Sequence, residues 1–388
     1  MPRSHRALSA TLFVGLFVLI GNVAQAGYIQ TNLVSDIAGL ATIQDPMLVN
    51  PWGISHSPIS PFWTSNQATS TATLYAVTGS TTVTKTIINP PGGFVSIPQT
   101  LSGPQGPTGQ VNNTNTSSFQ LTPGIAATSS RFIFANLNGT ISFWAGGAKS
   151  TIEVNNPGAI YTGLAINSAG TRLYAADSAG GVINVFDSSS VATVTQVSLP
   201  GAFTAPSLPP GYVPFNVRDI GGKVYVTYAP AGAPVNRQNA VTGQGFVSVF
   251  DENGVFLQRL ITGSELAAPW GIALAPATFG EFGGDLLVGN FSYLDSVINA
   301  FDPTTGLFEG AIHVDPGSGN SPGGLWALDF GIGVNNGNPN TLYFTDGINR
   351  EADGLFAAIT VPEPSTLALL AAGLLSLCAF RRRRFNQT

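Results

Sequence analysis

Six copies of a four-stranded sheet, set around an axis as an all-β propeller and closed by the N-terminal strand, are what this sequence predicts, on three observations. Only 9% of the 388 residues are charged while Gly (46) and Pro (27) are abundant, a composition of many short strands joined by turns. A pattern recurs six times: a Gly with apolar alternation, a Leu-Tyr type strand ending in Asp or Asn, and a strand ending near Phe-Asp. The last copy stops after its third strand, and an unassigned β-pattern, Tyr28 to Val34, stands before the first. In a closed ring that strand supplies the missing outer strand and removes the exposed sheet edge.

In chain order, the first copy joins Pro51-Trp52-Gly53-Ile54 to Thr73-Leu74-Tyr75-Ala76-Val77. The second joins Gly124-Ile125-Ala126 to Phe132–Asn136 and Thr140–Trp144, and the third runs Gly163–Ile166, Leu173–Asp177, Val182–Asp187. Phe215-Asn216-Val217, Lys223–Val226 and Phe246–Asp251 make the fourth. The fifth is Pro269–Leu274, Leu286–Asn290, Val297–Phe301 and a fourth strand from Leu307; the sixth is Gly324–Leu328, Thr341–Asp346 and Gly354–Ile359. Four short antiparallel strands are the unit of a propeller blade. The third and fifth copies resemble NHL-type repeats, which implies an NHL-like six-bladed propeller over residues 27–360.

The two ends carry addresses. Arg3 and Arg6, the apolar run Ala7 to Ile20 and Ala24-Gln25-Ala26 read as a cleavable signal peptide over residues 1–26, which implies passage through the Sec export machinery. At the other end Val361-Pro362-Glu363-Pro364 precedes an apolar run, residues 365–380, and then Arg381, Arg382, Arg383 and Arg384. As a hydrophobic helix that run spans about 24 Å, a marginal transmembrane anchor against a core of roughly 30 Å. The Arg cluster would stay cytoplasmic by the positive-inside rule. Motif, helix and Arg run together over 361–388 resemble the PEP-CTERM sorting tail of exopolysaccharide-producing Gram-negative bacteria. The resemblance implies an inner-membrane intermediate, processing by an exosortase, and delivery to the cell surface or the extracellular matrix.

The only cysteine, Cys378, lies in that tail, so the mature domain has neither a disulfide nor a thiol nucleophile. Residues 27–361 hold nine Lys and Arg against 19 Asp and Glu, a net charge of −10, which argues against nucleic acid as a partner.

Candidate site residues fall into four groups. Asn136, Asp177, Asn290 and Asp346 end the second strands of their copies, with Thr78 and Tyr228 in the remaining two. As a ring of oxygens on one face they could hold Ca²⁺ or sugar hydroxyls; alternatively each accepts hydrogen bonds from its own hairpin turn. Trp52, Trp270 and Trp326 open three copies, either as sugar platforms or as core aromatics. Phe62 and Trp63, in a stretch rich in Ser and Thr, read as an exposed aromatic pair. His56 and His313 are the only histidines after residue 26, too few for a zinc set, and no Gly-x-Ser-x-Gly is present. The polar stretches 103–118 and 229–244 read as functional loops or surface excursions. Two readings follow: a surface propeller that binds exopolysaccharide or a protein partner, or a secreted lyase or lactonase that uses a divalent metal and one of the two histidines.

Overall fold

Strands at the centre of a propeller must meet backbone against backbone, and four inner-strand glycines allow it. A Cβ on Gly53 would stand 2.6 Å from the carbonyl oxygen of Thr108, on Gly109 2.3 Å from the amide of Leu164, and on Gly271 2.3 Å from the carbonyl of Trp326. On Gly163 it would meet Oδ1 of Asn216 at 2.2 Å. Each glycine therefore receives the inner strand of another blade, which is the physical content of the Gly that recurs at the start of the copies.

The computed structural model describes residues 27–88, 92–121, 128–189 and 194–362. From axis to rim, blade 1 is Pro51–Ser55, Phe62–Asn66, Thr71–Thr78 and Thr82–Lys85, and blade 2 is Pro107–Asn112, Phe132–Asn136, Thr140–Trp144 and Thr151–Asn155. Blade 3 is Tyr161–Ile166, Arg172–Asp177, Val182–Asp187 and Thr195–Val197; blade 4 is Tyr212–Ile220, Lys223–Pro230, Phe246–Asp251 and Phe256–Thr262. Blade 5 is Pro269–Leu274, Leu286–Asn290, Val297–Phe301 and Phe308–His313. Blade 6 takes Leu325–Phe330, Leu342–Asp346 and Leu355–Thr360 from the end of the chain. Neighbouring inner strands touch around the whole ring, including Leu325–Phe330 against Pro51–Ser55. The fold is a six-bladed β-propeller.

The N-terminal strand Ile29–Ser35 closes it, pairing antiparallel with Leu355–Thr360 from Ile29 opposite Thr360 to Ser35 opposite Leu355. A short strand, Ile43–Gln44, runs parallel beside it and gives blade 6 a fifth strand. Leu33 and Val34 are wholly buried, and Tyr28 wedges its ring against Phe279 and Phe282, its hydroxyl donating to the Phe279 carbonyl.

Two copies differ from the sequence expectation. In blade 1 the second strand is Phe62–Asn66, so Thr73 to Val77 belongs to the third and Thr78 ends that one. Phe62 and Trp63 are therefore not an exposed pair: they are 0% and 2% exposed, with Trp63 stacked on Phe132 at 4.1 Å and tilted against Trp144 at 4.7 Å across the blade 1–blade 2 junction. In blade 2 the inner strand is Pro107–Asn112, inside the stretch 103–118 expected to be a functional loop or a surface excursion. Its polar side chains are inter-blade ties: Thr108 Oγ1 donates to the Tyr161 carbonyl at 2.8 Å, and Gln110 Nε2 to the carbonyls of Gly53 and Trp63. Gly124 to Ala126, the expected strand, lies outside the described residues, as do the signal peptide, Glu363 and Pro364 of the sorting motif, the apolar run 365–380 and Arg381 to Arg384. Among the described residues no helix is long and apolar enough to cross a membrane.

Candidate functional site: two axial cavities and an aromatic plug

Three tryptophans block the axis. Trp52 and Trp326 stack at 3.5 Å between ring centroids, and Trp270 meets both edge-on at 6.2 and 5.6 Å. Phe215 and Phe291 complete the layer. Trp270 Nε1 donates to the Thr162 carbonyl and Trp326 Nε1 to Oδ1 of Asn50, each at 2.8 Å. Trp52 Nε1 is buried with no hydrogen-bond partner. Of the two readings of these tryptophans, the rings are core aromatics of the plug, while Trp52 and Trp326 also line a cavity.

That cavity, of about 510 Å³, lies on the face where inner strands begin and second strands end. Its wall takes Asn50, Gln67, Leu137, Ser178, Phe291 and Glu351 from the turns of five blades, and Gly232, Pro234 and Arg237 from the insertion in blade 4. The insertion, residues 229–244, carries the short helix Pro234–Gln238, so this polar stretch forms part of the wall of the site.

Glu351 is placed at a conformational cost. Asn349, Arg350 and Glu351 hold φ of 56°, 59° and 70° in succession, a left-handed turn that each L-residue adopts against its preference. Asn349 pins it, accepting from the Ser321 amide and donating Nδ2 to Asn320 and Asp353. The Glu351 carboxylate accepts from Asn50 Nδ2 and Gln238 Nε2, both at 3.0 Å, and from the Tyr293 hydroxyl. Burial, then the Glu351 charge, push the Tyr293 phenol above its ordinary value and keep it a donor. Asn50 is the hub, bonding also to Trp326 and Gln67.

The opposite face has its own axial cavity, about 550 Å³, lined by Ser55, His56, Gln110, Arg218, Asp219, Trp270 and Asp329 among others. Asp329 pairs with Arg218 Nη2 at 2.6 Å and lies 3.6 Å from His56 Nε2. Both ring nitrogens of His56 face carbonyls, of Ser57 and Phe330, at 3.3 Å. Desolvation raises the Asp219 carboxyl to about 6. His313 sits at the end of the outermost strand of blade 5, so the two histidines are not brought together.

The four strand-end residues lie on the upper face, yet none lines either cavity. Asp177 Oδ1 accepts from the amides of Ile160, Ala179 and Gly180; Asn290 accepts from Ala267 and donates to the Glu265 carbonyl. Asn136 donates within its own hairpin, and Asp346 is buried with neither carboxylate oxygen bonded. Asp177, Asn290 and Asn136 thus spend these atoms on nearby backbone groups, and among the described residues no group of three His, Cys, Asp or Glu could hold a metal ion. The offset is one residue: Leu137, Ser178 and Phe291, which follow Asn136, Asp177 and Asn290, line the upper cavity, as does Gln67 after the second strand of blade 1.

Comparison with known proteins addresses the two parts of the chain separately. The "Uncharacterized protein R648" of Acanthamoeba polyphaga mimivirus is 31% identical over 345 residues, 84% of this chain and 78% of that protein. The chain belongs to the R648 family. Mimivirus "Uncharacterized protein L690" is 29% identical over 282 residues, 70% of each chain. At the C-terminus, residues 360–384 match the family described as the PEP-CTERM protein-sorting motif, so this R648-family chain carries a signal for export, membrane-anchored processing and exosortase recognition. Among solved structures, one titled "Streptogramin B lyase structure" aligns with a TM-score of 0.49 at 11% identity, over 86% of this chain and 97% of that one. One titled "Crystal structure of Nidogen/Laminin Complex" gives 0.42 at 13%, over 71% and 85%.

Proposed function

We propose that the protein is exported behind its signal peptide, held in the inner membrane by its tail, released by exosortase, and that its propeller then binds a short glycan of the exopolysaccharide matrix in the upper axial cavity. The observation that carries this reading is the wall of that cavity: the aromatic side chains of Trp52, Phe215 and Trp326 set among the polar side chains of Asn50, Gln67 and Glu351, a lining of aromatic surface and hydrogen-bonding groups suited to sugar rings and their hydroxyls. A cavity of about 510 Å³ suits one end of a chain or a short oligosaccharide better than a polymer lying across the face. Titration calorimetry of the protein with fragments of the producer's own exopolysaccharide should show saturable binding. Gln67→Ala, which removes one hydrogen-bonding group from the wall, should weaken it about three- to tenfold. No binding at about millimolar sugar rejects the reading.

The second reading, a secreted lyase or lactonase, has one observation in its favour: His56, Asp329 and Arg218 share the lower cavity, a placement suited to acid–base work. If an activity is found, His56→Ala should abolish it while leaving glycan binding in place; full activity in that variant removes this reading.

Processing has its own test. Glu363 is the charged centre of the sorting motif, so Glu363→Ala should block tail removal and leave export and folding unchanged. Mass spectrometry of the surface-released protein should find the C-terminus near Pro362 to Pro364; one beyond Phe380 shows the tail to be an ordinary anchor.

A further inference from the structure

The upper cavity is unbalanced in hydrogen-bonding groups, and the imbalance centres on Arg237. This side chain is 8% exposed, and its guanidinium lies over the Phe215 ring with Cζ 5.3 Å from the centroid. A guanidinium presents a rigid fork of N–H donors, of which only Nη1 is used, to the Pro230 carbonyl at 3.3 Å. Arg237 forms no ion pair among the described residues. The other charge on the wall, Glu351, acts on Arg237 through space, but it is already served by three donors, from Asn50, Gln238 and Tyr293, and forms no ion pair with the guanidinium. Burying a cation without a partner is strongly unfavourable. A domain with only nine basic residues in 27–361 nevertheless buries this one at the wall of its upper cavity.

Resting on the glycan reading of the same cavity, we infer that its ligand is acidic: a uronate or another sugar carrying a carboxylate, with that carboxylate on Arg237. The planar fork of the guanidinium matches a carboxylate in a two-point contact, and the anion supplies the missing acceptors at the guanidinium itself. Glu351 sets the other limit: a second carboxylate beside it would meet like charge, so one acidic group per bound unit is the specificity expected.

The full chain is to be titrated with matched pairs, D-glucuronic acid against D-glucose and D-galacturonic acid against D-galactose, together with a glucuronate-containing disaccharide. The acidic member should bind about ten- to a hundredfold tighter, with the preference reduced as salt is raised, and should alone raise the melting temperature of the unsubstituted protein. Arg237→Met should erase the acid preference. The melting-temperature comparison needs no variant and decides the matter should Arg237→Met fail to fold. Equal binding of acidic and neutral sugars overturns the acidic ligand and leaves the glycan reading standing; no binding of any sugar overturns both.

Discussion

Removing residues 28–35 should abolish the cooperative unfolding of the propeller or lower its melting temperature by at least about 10 °C. The strand is the outer partner of Leu355–Thr360 over six registered pairs. Its loss leaves that strand as an open edge in the one blade built from both ends of the chain. It also removes two fully buried side chains, Leu33 and Val34, each worth about 1.5–3 kcal/mol. The bond from Ser35 Oγ to the Gly354 carbonyl, at 2.7 Å, and the Tyr28 contacts with Phe279 and Phe282 go with them. Set against a total of roughly 5–15 kcal/mol for a folded domain, that is most of the margin. Differential scanning calorimetry of the truncated and intact proteins reads the effect; an unchanged melting curve would show that the ring does not depend on this closure.

The closure was legible in the sequence because the sixth copy stops after its third strand while the unassigned β-pattern Tyr28 to Val34 stands before the first copy. Blades 3 to 6 were legible because most of their strands are short apolar runs bounded by turn residues. The second strand of blade 1, Phe62–Asn66, and the inner strand of blade 2, Pro107–Asn112, were not, because there many of the buried residues are polar. Thr64, Asn66, Thr71 and Thr73 satisfy one another inside blade 1, with Thr64 Oγ1 2.9 Å from Thr73 Oγ1 and Asn66 Nδ2 donating to both Thr71 and Thr73. A strand whose burial is paid for by side-chain hydrogen bonds has the composition of a loop. Thr108 and Gln110 disguise the inner strand of blade 2 in the same way, by tying it to its neighbours.

The site was legible as a face and not as a set of residues. Second-strand ends do mark the rim of the upper cavity, but a one-residue offset separates Asn136 and Asp177, which point into their own hairpins, from Leu137 and Ser178, which line it. Arg237 and Glu351 sit outside the repeat, on an insertion and on a left-handed turn, where no periodicity applies. Two signals were available: a basic residue in a domain almost without them, and Asn349, an amino acid that tolerates positive φ, leading into Arg350 and Glu351.

Asp346→Asn should make the protein more stable at neutral and alkaline pH while changing little near pH 4. The side chain is wholly buried with both oxygens unbonded, and desolvation raises its carboxyl from 3.8 to about 8. Because the folded value lies above the unfolded one, the native state holds a proton that the unfolded chain has released between those limits. Its stabilising share is complete below about pH 4, falls as pH rises, and is gone above about pH 8. The slope is about 1.4 kcal/mol per pH unit, hence roughly 4 kcal/mol between pH 5 and pH 8. Asp36 and Asp219, both half-buried and both raised to about 6 by desolvation, act in the same direction over the lower part of that window and remain in the variant. Asparagine occupies the corresponding strand end in blades 2 and 5, as Asn136 and Asn290, so the position accepts an amide of the same shape. Melting temperatures recorded from pH 5 to pH 8 should therefore fall steadily for the unsubstituted protein, whereas the Asn variant should fall only to about pH 6 and then level off. Parallel curves for the two proteins across that range would show that Asp346 is ionised in the fold and that a partner for its charge exists.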